Sequence, residues 1–180
     1  MARIRGIILF IQFSITVAIT VVLMYTFRNH THKVIKAWMS FQMFVLGIKL
    51  ETEGNLDESC DMLLINHQSL LDIIVIEYIH SRDLAWVAKK EIADLFFFGH
   101  IIKAPRMISI DRENKAGIIT LLKETKDRLD KGRPIAMFPE GTRSDGKSMG
   151  SFKPGAKMVA NKHNLRVQPI ILFNTRTLVD

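Results

Sequence analysis

The first fifty residues carry two apolar runs, separated by a short polar and basic segment. No charged residue lies between Arg5 and Arg28, and the apolar part of this interval, Ile7–Phe27, is 21 residues long. Because an apolar helix of about 20 residues crosses the hydrocarbon of a bilayer, this run predicts a membrane helix. Two alternatives stay open: a signal peptide, although the run is long and no small-residue cleavage site follows it, and a buried helix of a soluble core.

The second run, Ala37–Ile48, is only 12 residues long and lies between Lys36 and Lys49. It is too short to span a bilayer but suits a helix in the interface, with Trp38 and the lysines at headgroup level. Since basic residues flank the first run on both sides, its orientation stays open, and so does the choice between a single span and a hairpin in one leaflet. Residues 1–48 are predicted to form an N-terminal, membrane-associated helical module.

From residue 49 onward, short apolar runs alternate with helical patterns. The clearest helix, Asn114–Lys131, has its apolar residues on one face and is followed by Gly132, and Pro154 suits the first turn of another helix. This alternation predicts an α/β fold, in which a mostly parallel sheet is flanked by helices, and residues 49–180 are expected to form it as one domain. The predicted strands are Met62–Ile65, Leu84–Ala88, Met107–Ile110, Ile135–Phe138 and Val167–Phe173.

Charge narrows the classes of partner. The net charge is +7, with six basic and no acidic residues in 1–50, an acidic stretch in 51–100 and a basic excess in 101–180. Such a chain can bind nucleic acid, anionic lipid or an acidic carrier, but aromatic residues are sparse among the C-terminal basic ones, which argues against single-stranded nucleic acid. The one cysteine, Cys60, excludes an intramolecular disulfide and a cysteine-rich zinc module.

Polar residues follow the first predicted strand, at the end where parallel α/β sheets bind ligands. His67 and Asp72 flank a strand-to-helix turn, so the carboxylate in the first helical turn can reach the imidazole. An Asp that accepts from one ring nitrogen fixes the tautomer and leaves the other nitrogen as a base. Alternatively, Asp72 only caps its helix together with Ser69, and His67 is structural.

The chain offers His67 no clear protein nucleophile. A G-x-S-x-G elbow does not occur, Cys60 precedes the strand, and Ser69 is explained as a helix cap. We therefore expect His67 to deprotonate a hydroxyl of the substrate itself, which then attacks an activated acyl group. A metal is not expected, because the other histidines form no ligand-spaced cluster with carboxylates and H-E-x-x-H is absent from the sequence.

A second polar segment, Phe138–Ser144, follows another predicted strand. Its glycine turn, hydroxyl and Arg143 could hold a phosphate, because guanidinium and backbone amides both bind phosphate oxygens. Arg112, after the strand Met107–Ile110, is a second candidate cation at a strand end. A solvated surface charge is the alternative for Arg143.

The two polar segments together, Asn66–Asp72 and Phe138–Ser144, strongly resemble the glycerolipid acyltransferase family typified by 1-acyl-sn-glycerol-3-phosphate acyltransferase. The resemblance covers about residues 55–173, in the order of the family. Two departures occur: Pro105–Met107 stands where the family often has glycine, and the chain stops at Asp180 where the family usually continues, so a truncated C-terminus is expected. Supporting matches are Val87–Glu91, Phe97–Gly99, Ile110–Arg112, Phe152–Ala156 and the strand around Pro169.

The resemblance implies a glycerolipid acyltransferase fold with His67 as general base and Asp72 as its orienting partner. It implies that Pro169 shapes the acyl-donor side. It assigns the acceptor-phosphate site to Arg112, Glu140, Gly141, Thr142 and Arg143.

The resemblance also implies the activity. A fatty acyl group is expected to move from acyl-CoA or acyl-carrier protein to the sn-2 hydroxyl of lysophosphatidic acid, which gives phosphatidic acid for phospholipid biosynthesis. Membrane lipids are the expected partners, with no nucleic acid, no cofactor and no metal, and the expected location is the cytoplasmic face of a bacterial inner membrane. Alternatives are another acceptor (glycerol-3-phosphate, another lysophospholipid or a lyso-ornithine lipid) and a non-catalytic protein that binds anionic lipid.

Overall fold

The computed structural model describes residues 2–112 and 114–177. Two N-terminal helices, joined by a 3-10 turn at Arg28–His30, precede alternating strands and helices. The helices are α1 (Ala2–Thr26), α2 (Thr31–Leu46), α3 (Leu71–Ile79), α4 (Lys90–Ala93), α5 (His100–Lys103), α6 (Lys115–Asp130) and α7 (Pro154–His163). The strands are β1 (Met62–Ile65), β2 (Ala85–Lys89), β3 (Ile108–Ile110), β4 (Ile135–Met137) and β5 (Val167–Ile170).

The five strands form one sheet in the order β3-β2-β4-β1-β5, and every neighbouring pair is parallel. The predicted α/β fold with a mostly parallel sheet is confirmed. All loops that follow strands therefore lie at one edge of the sheet, called the carboxyl edge here, and all loops that precede strands lie at the opposite, amino edge. β5 ends at Ile170 and not at the predicted Phe173. Beyond Ile170, the amide and the carbonyl of Leu172 are hydrogen-bonded to the side chain of Asn66 and not to the backbone of a neighbouring strand.

Alternate strand residues face two different helical layers. Met62 of β1 packs in the cluster that includes Leu121 of α6 and Val159 of α7, while Leu63 packs with Ile76 of α3 on the other face. The helix predicted after β3 is confirmed: Asn114 caps α6 by accepting from the amide of Ala116 at 2.9 Å. Pro154 begins α7, as predicted.

Helix α1 is long and apolar enough over Arg3–Thr26 to cross a membrane. Its buried residues, Val17, Thr20, Val21 and Met24, lie in the C-terminal half, whereas most side chains of the N-terminal half are exposed. This buried stripe packs on α2, and α2 packs in turn on α3 through one shared apolar cluster.

Trp38 differs from the sequence expectation. Its side chain is buried between helices, with its ring centroid 5.4 Å from that of Phe13, and does not stand at the level of lipid headgroups. The reason is that α2 begins six residues earlier than the apolar run, at Thr31, and its apolar stripe of Ile35, Trp38 and Met39 faces protein.

Candidate active site

His67 and Asp72 meet at the carboxyl edge, directly after β1. Nδ1 of His67 lies 2.8 Å from Oδ2 of Asp72. The same carboxylate accepts hydrogen bonds from the amides of Gln68, at 2.6 Å, and Ser69, at 2.9 Å, and Thr175 donates its hydroxyl to Oδ1 at 2.5 Å. Asp72 is thus fully buried with both oxygens hydrogen-bonded.

The hydrogen bonds around Asp72 determine whether its carboxyl group is ionised. Burial alone would raise the pKa of Asp72, but the hydrogen bonds from His67, Thr175 and the two amides outweigh burial and hold the pKa below its usual value. An ionised carboxylate only accepts, so Nδ1 of His67 carries the proton. In the neutral form of the imidazole, Nε2 is then the nitrogen that can accept a proton, and nothing in residues 2–112 or 114–177 hydrogen-bonds to it. The pair has the geometry of a general base with its orienting partner.

A second contact fixes the imidazole ring. Phe138 lies face to face with it, with 3.7 Å between the ring centroids and 12° between the planes. With Asp72 holding one edge and Phe138 covering one face, the direction of Nε2 is set by two independent contacts.

Glu140 holds the loop that carries His67. Its buried carboxylate accepts from the amide of His67 at 2.8 Å and from the amide of Gly150 at 2.6 Å. In addition, the amide of Ser144 donates to the carbonyl of His67 at 2.7 Å. The segment after β4 therefore bonds both the amide and the carbonyl of His67, through Glu140 and Ser144, and the second oxygen of Glu140 holds the Gly150 amide.

The other candidate residues after β4 form an exposed turn. Gly141 has a φ of +74°, which favours glycine, and its carbonyl accepts from the guanidinium of Arg112. A Cβ at Gly141 would lie 2.9 Å from that guanidinium. Thr142 and Arg143 are exposed, and the Arg143 guanidinium makes no hydrogen bond or ion pair within the described part of the chain. The fold thus brings Arg112 and Arg143 to the same turn from different strand ends.

Pro169 does not belong to this turn. It lies on β5, the outermost strand of the sheet, where it pairs with Leu64 of β1. It lines a groove of about 680 Å³ between β5, α3 and the segment 48–56. Leu71, next to Asp72, contributes to the apolar wall of this groove.

Comparison with known proteins assigns the family. The sequence model of the acyltransferase family matches residues 48–172. The chain is also 40% identical over 165 residues to the 1-acyl-sn-glycerol-3-phosphate acyltransferase of Helicobacter pylori, a match that covers 89% of this chain and 70% of that protein. This chain belongs to the acyltransferase family.

Other acyltransferases match over much of the chain. The chloroplastic 1-acyl-sn-glycerol-3-phosphate acyltransferase of Arabidopsis thaliana is 30% identical over 189 residues, covering 97% of this chain and 52% of that protein. The lyso-ornithine lipid O-acyltransferase of Brucella abortus is 31% identical over 140 residues, covering 73% and 52%. The crystal structure of the 1-acyl-sn-glycerophosphate (LPA) acyltransferase of Thermotoga maritima shares the fold, with a TM-score of 0.70 at 22% identity, over 93% of this chain and 73% of that one.

Three contacts in this candidate site could not be predicted from the sequence. Thr175 reaches Asp72 from 103 residues away, Phe138 stacks on His67, and Glu140 serves the backbone. Of the three, only Phe138 had a visible signal, because it ends a predicted strand and begins the polar segment Phe138–Ser144. In the described residues, no group of three or more His, Cys, Asp or Glu side chains could hold a metal ion.

Proposed function

We propose that this acyltransferase moves a fatty acyl group from a thioester to the sn-2 hydroxyl of lysophosphatidic acid, giving phosphatidic acid in phospholipid biosynthesis. Relatives named for 1-acyl-sn-glycerol-3-phosphate support this acceptor. The chain spans 70% of the length of the Helicobacter relative and about half, 52%, of the Arabidopsis and Brucella relatives. The observation that carries the proposal is the His67–Asp72 pair, whose unprotonated Nε2 stands at the same sheet edge as Arg112 and Arg143.

In the proposed step, Nε2 of His67 accepts the proton of the acceptor hydroxyl while the hydroxyl oxygen attacks the thioester carbonyl carbon. The carbon–sulfur bond of the tetrahedral intermediate then breaks, and the departing thiolate takes the proton from His67. Asp72 stabilises the imidazolium that exists between the two proton transfers. The acyl group passes directly to the acceptor, so the step needs no acyl-enzyme, metal or cofactor.

The acceptor phosphate is proposed to bind at the turn after β4. Arg143 offers a guanidinium without a protein partner in the described residues, and the amides of Thr142 and Arg143 are available beside it. Arg112 adds a second positive charge next to Gly141. Glu140 belongs to this site as a positioning residue, since its oxygens hold the His67 and Gly150 amides.

The donor is proposed to be acyl-CoA or acyl-carrier protein. Both are thioesters, and the net charge of +7 suits the phosphates of one and the acidic surface of the other. Pro169 and its groove are proposed for the donor side. We place the enzyme at the cytoplasmic face of a bacterial inner membrane, on the basis of the apolar helix α1 and the bacterial relatives.

The test is an acyl-transfer assay of the purified chain. Lysophosphatidic acid, glycerol-3-phosphate and lyso-ornithine lipid are each offered with acyl-CoA and with acyl-carrier protein, and His67→Ala is the control. We expect phosphatidic acid to form fastest and the His67→Ala protein to be inactive while folded. Faster transfer to lyso-ornithine lipid would replace the proposed acceptor by that of the Brucella relative.

A further inference from the structure

The segment that follows β5 lies against the His67–Asp72 pair. It comprises Leu172–Arg176 and is called the post-β5 segment here. Because β5 is parallel to its neighbour β1, both strands end at the carboxyl edge, and the residues that follow the two strands meet there. The post-β5 segment is thus part of the site, although 103 positions of sequence separate Thr175 from Asp72.

Three polar residues of the loop after β1 bond to the post-β5 segment through their side chains. Asn66 bonds both the amide of Leu172, at 2.7 Å, and its carbonyl, at 2.9 Å. Gln68 donates its side-chain amide to the same carbonyl at 3.1 Å. Ser69 donates its hydroxyl to the carbonyl of Thr175 at 2.9 Å. The backbone of the post-β5 segment is therefore held at two points, Leu172 and Thr175.

Thr175 returns one bond to the loop, and that bond goes to Asp72. Its buried hydroxyl lies 2.5 Å from Oδ1 of Asp72 and 3.3 Å from Oε1 of Gln68, so its single proton is donated to the nearer carboxylate. Oδ2 of Asp72 has three donors, which are Nδ1 of His67 and the amides of Gln68 and Ser69. Within residues 2–112 and 114–177, Oδ1 has the Thr175 hydroxyl alone.

The carboxylate needs this donor because it is fully buried. Burial raises the pKa of Asp72, and the hydrogen bonds from His67 and Thr175 are the two largest influences that lower it. Without the hydroxyl, Oδ1 would be a buried acceptor with no donor, a state that costs free energy. The carboxyl group would then take up a proton or turn away from Nδ1 of His67, and either change weakens the support that Asp72 gives to the imidazole.

We propose that Thr175 is a positioning residue of the acyl transfer, whose hydroxyl holds the Asp72 carboxylate in the orientation that bonds Nδ1 of His67. The hydrogen bonds form one series from the post-β5 segment to the base: Ser69 fixes the backbone of Thr175, Thr175 holds Asp72, and Asp72 orients His67. The inference rests on the proposed function, because the pair that Thr175 supports is the proposed base with its partner.

The post-β5 segment does not need the Thr175 hydroxyl for its own attachment. Asn66 binds Leu172 at one end of the segment. At the other end, Arg176 donates to the carbonyl of Ser144, in the segment after β4, at 2.7 Å. Valine has nearly the shape of threonine but no hydroxyl, so a valine at this position should leave the segment in place and remove the bond to Asp72.

The first test is steady-state kinetics of the full chain in mild detergent, with lysophosphatidic acid and acyl-CoA. Thr175→Val should lower kcat by about tenfold or more, since a hydrogen bond to a buried charge is lost. Both KM values should stay within about twofold, because Thr175 bonds Asp72 and not the substrates. Thr175→Ser should restore kcat. Thr177→Val is the control, because Thr177 is exposed and donates its hydroxyl to the carbonyl of Asn174 at 2.8 Å.

A double-mutant cycle separates positioning from a general effect on the fold. If Thr175 acts through Asp72, adding Thr175→Val to Asp72→Asn should lower kcat by no more than about twofold further, because the carboxylate that Thr175 holds is already absent. A loss in the double variant equal to the product of the two single losses would overturn the positioning role. If Thr175→Val does not fold, Thr175→Ala takes its place in both measurements.

A spectroscopic measurement does not depend on turnover. In the chain labelled with ¹⁵N-histidine, the Nδ1 proton of His67 is identified by its absence from His67→Ala. We expect this proton to resonate far downfield in the unchanged chain and in Thr175→Ser, because it bonds a carboxylate. In Thr175→Val it should move upfield or vanish through exchange with water.

The outcomes for the two proposals differ. A Thr175→Val enzyme with normal kcat and an unchanged His67 proton, while the unchanged chain transfers acyl groups, would overturn the role of Thr175 and leave the proposed function intact. An unchanged chain that does not acylate lysophosphatidic acid, but whose His67 proton depends on the Thr175 hydroxyl, would overturn the proposed function and leave the positioning of the pair in place.

Discussion

Glu77 accepts a hydrogen bond of 2.6 Å from the indole Nε1 of Trp86, and both side chains are buried beneath the active site. The indole packs against Phe138 at 5.2 Å between ring centroids, and Phe138 stacks on His67. A buried carboxyl group on α3 is thus joined to the His67 imidazole through two aromatic rings. Phe138 therefore positions the His67 ring by packing against its face, and Asp72 positions it through the hydrogen bond to Nδ1.

The stack predicts a defect in turnover for Phe138→Leu. Without the ring the imidazole gains freedom, so kcat should fall about tenfold to hundredfold while both KM values change little. Met137→Ala is the control, because Met137 is the buried residue just before Phe138 but faces the other helical layer. Steady-state kinetics should show near-normal kcat for Met137→Ala, and a normal kcat for Phe138→Leu would contradict the positioning role.

Local pattern was sufficient to predict the architecture. The runs Met62–Ile65 and Ile135–Phe138 are short, apolar and bounded by polar residues, and the helix after Asn114 has a cap and a one-sided apolar face, so each element could be located from its own residues. His67 and Asp72 were predictable for the same reason, because only a turn separates them.

Contacts between distant segments could not be predicted in this way. Nothing near Thr175 indicates that its hydroxyl reaches Asp72, and the short polar segment that contains Glu140 gives no sign that its carboxylate holds the backbone of His67. Trp38 was misplaced for a related reason, since an apolar stripe that faces lipid and one that faces protein have the same composition. These features depend on the tertiary arrangement.

Asp72→Asn should leave a folded but weak enzyme. An asparagine side chain can present its NH₂ to Nδ1, which favours the tautomer with the proton on Nε2 and removes the base. We expect kcat to fall by a factor on the order of 10²–10⁴, with less change in KM. Thr175→Ser, which retains a hydroxyl that can donate to Asp72, is the control and should remain active. An Asp72→Asn enzyme with full kcat would exclude Asp72 as the orienting partner.

Substitution of Arg143 should weaken binding of the acceptor and leave the chemical step largely unchanged. Arg143→Ala should lower kcat/KM for lysophosphatidic acid by roughly ten- to hundredfold, mainly through KM, since hydrogen bonds to charged groups contribute about 1.5–3 kcal/mol. The kcat/KM of Arg143→Lys should lie between that of the unchanged chain and that of Arg143→Ala, because lysine keeps the charge but loses the planar guanidinium. The KM for the acyl donor should hardly change, and exposed Lys162→Ala on α7 is the matched loss of positive charge.

An acceptor without phosphate provides the deciding comparison for this arginine. The rate of acyl transfer to such an acceptor should be the same for Arg143→Ala and for the unchanged chain. If Arg143→Ala raised only the donor KM, the residue would belong to the coenzyme A or carrier-protein side.

Glu77 predicts a pH dependence of stability. Burial raises the pKa of Glu77 from 4.5 to about 7, against the opposing influence of the Trp86 hydrogen bond, Lys36 and Arg133, while Asp83 raises it further. Between pH 4.5 and about 7, Glu77 therefore keeps its proton in the folded state and releases it in the unfolded state. The corresponding stabilisation is full below pH 4.5 and is lost as the pH rises through 7, with a size of about 3 kcal/mol.

Glu77→Gln isolates this contribution, because a neutral amide oxygen can still accept from Trp86 but does not titrate. Denaturant unfolding of the two proteins in mild detergent should give similar free energies near pH 4.5. As the pH rises toward 8, Glu77→Gln should become the more stable protein by up to about 3 kcal/mol. A difference between Glu77→Gln and the unchanged chain that stays constant from pH 4.5 to 8 would mean that Glu77 is ionised throughout, held by Lys36 and Arg133 in spite of its burial.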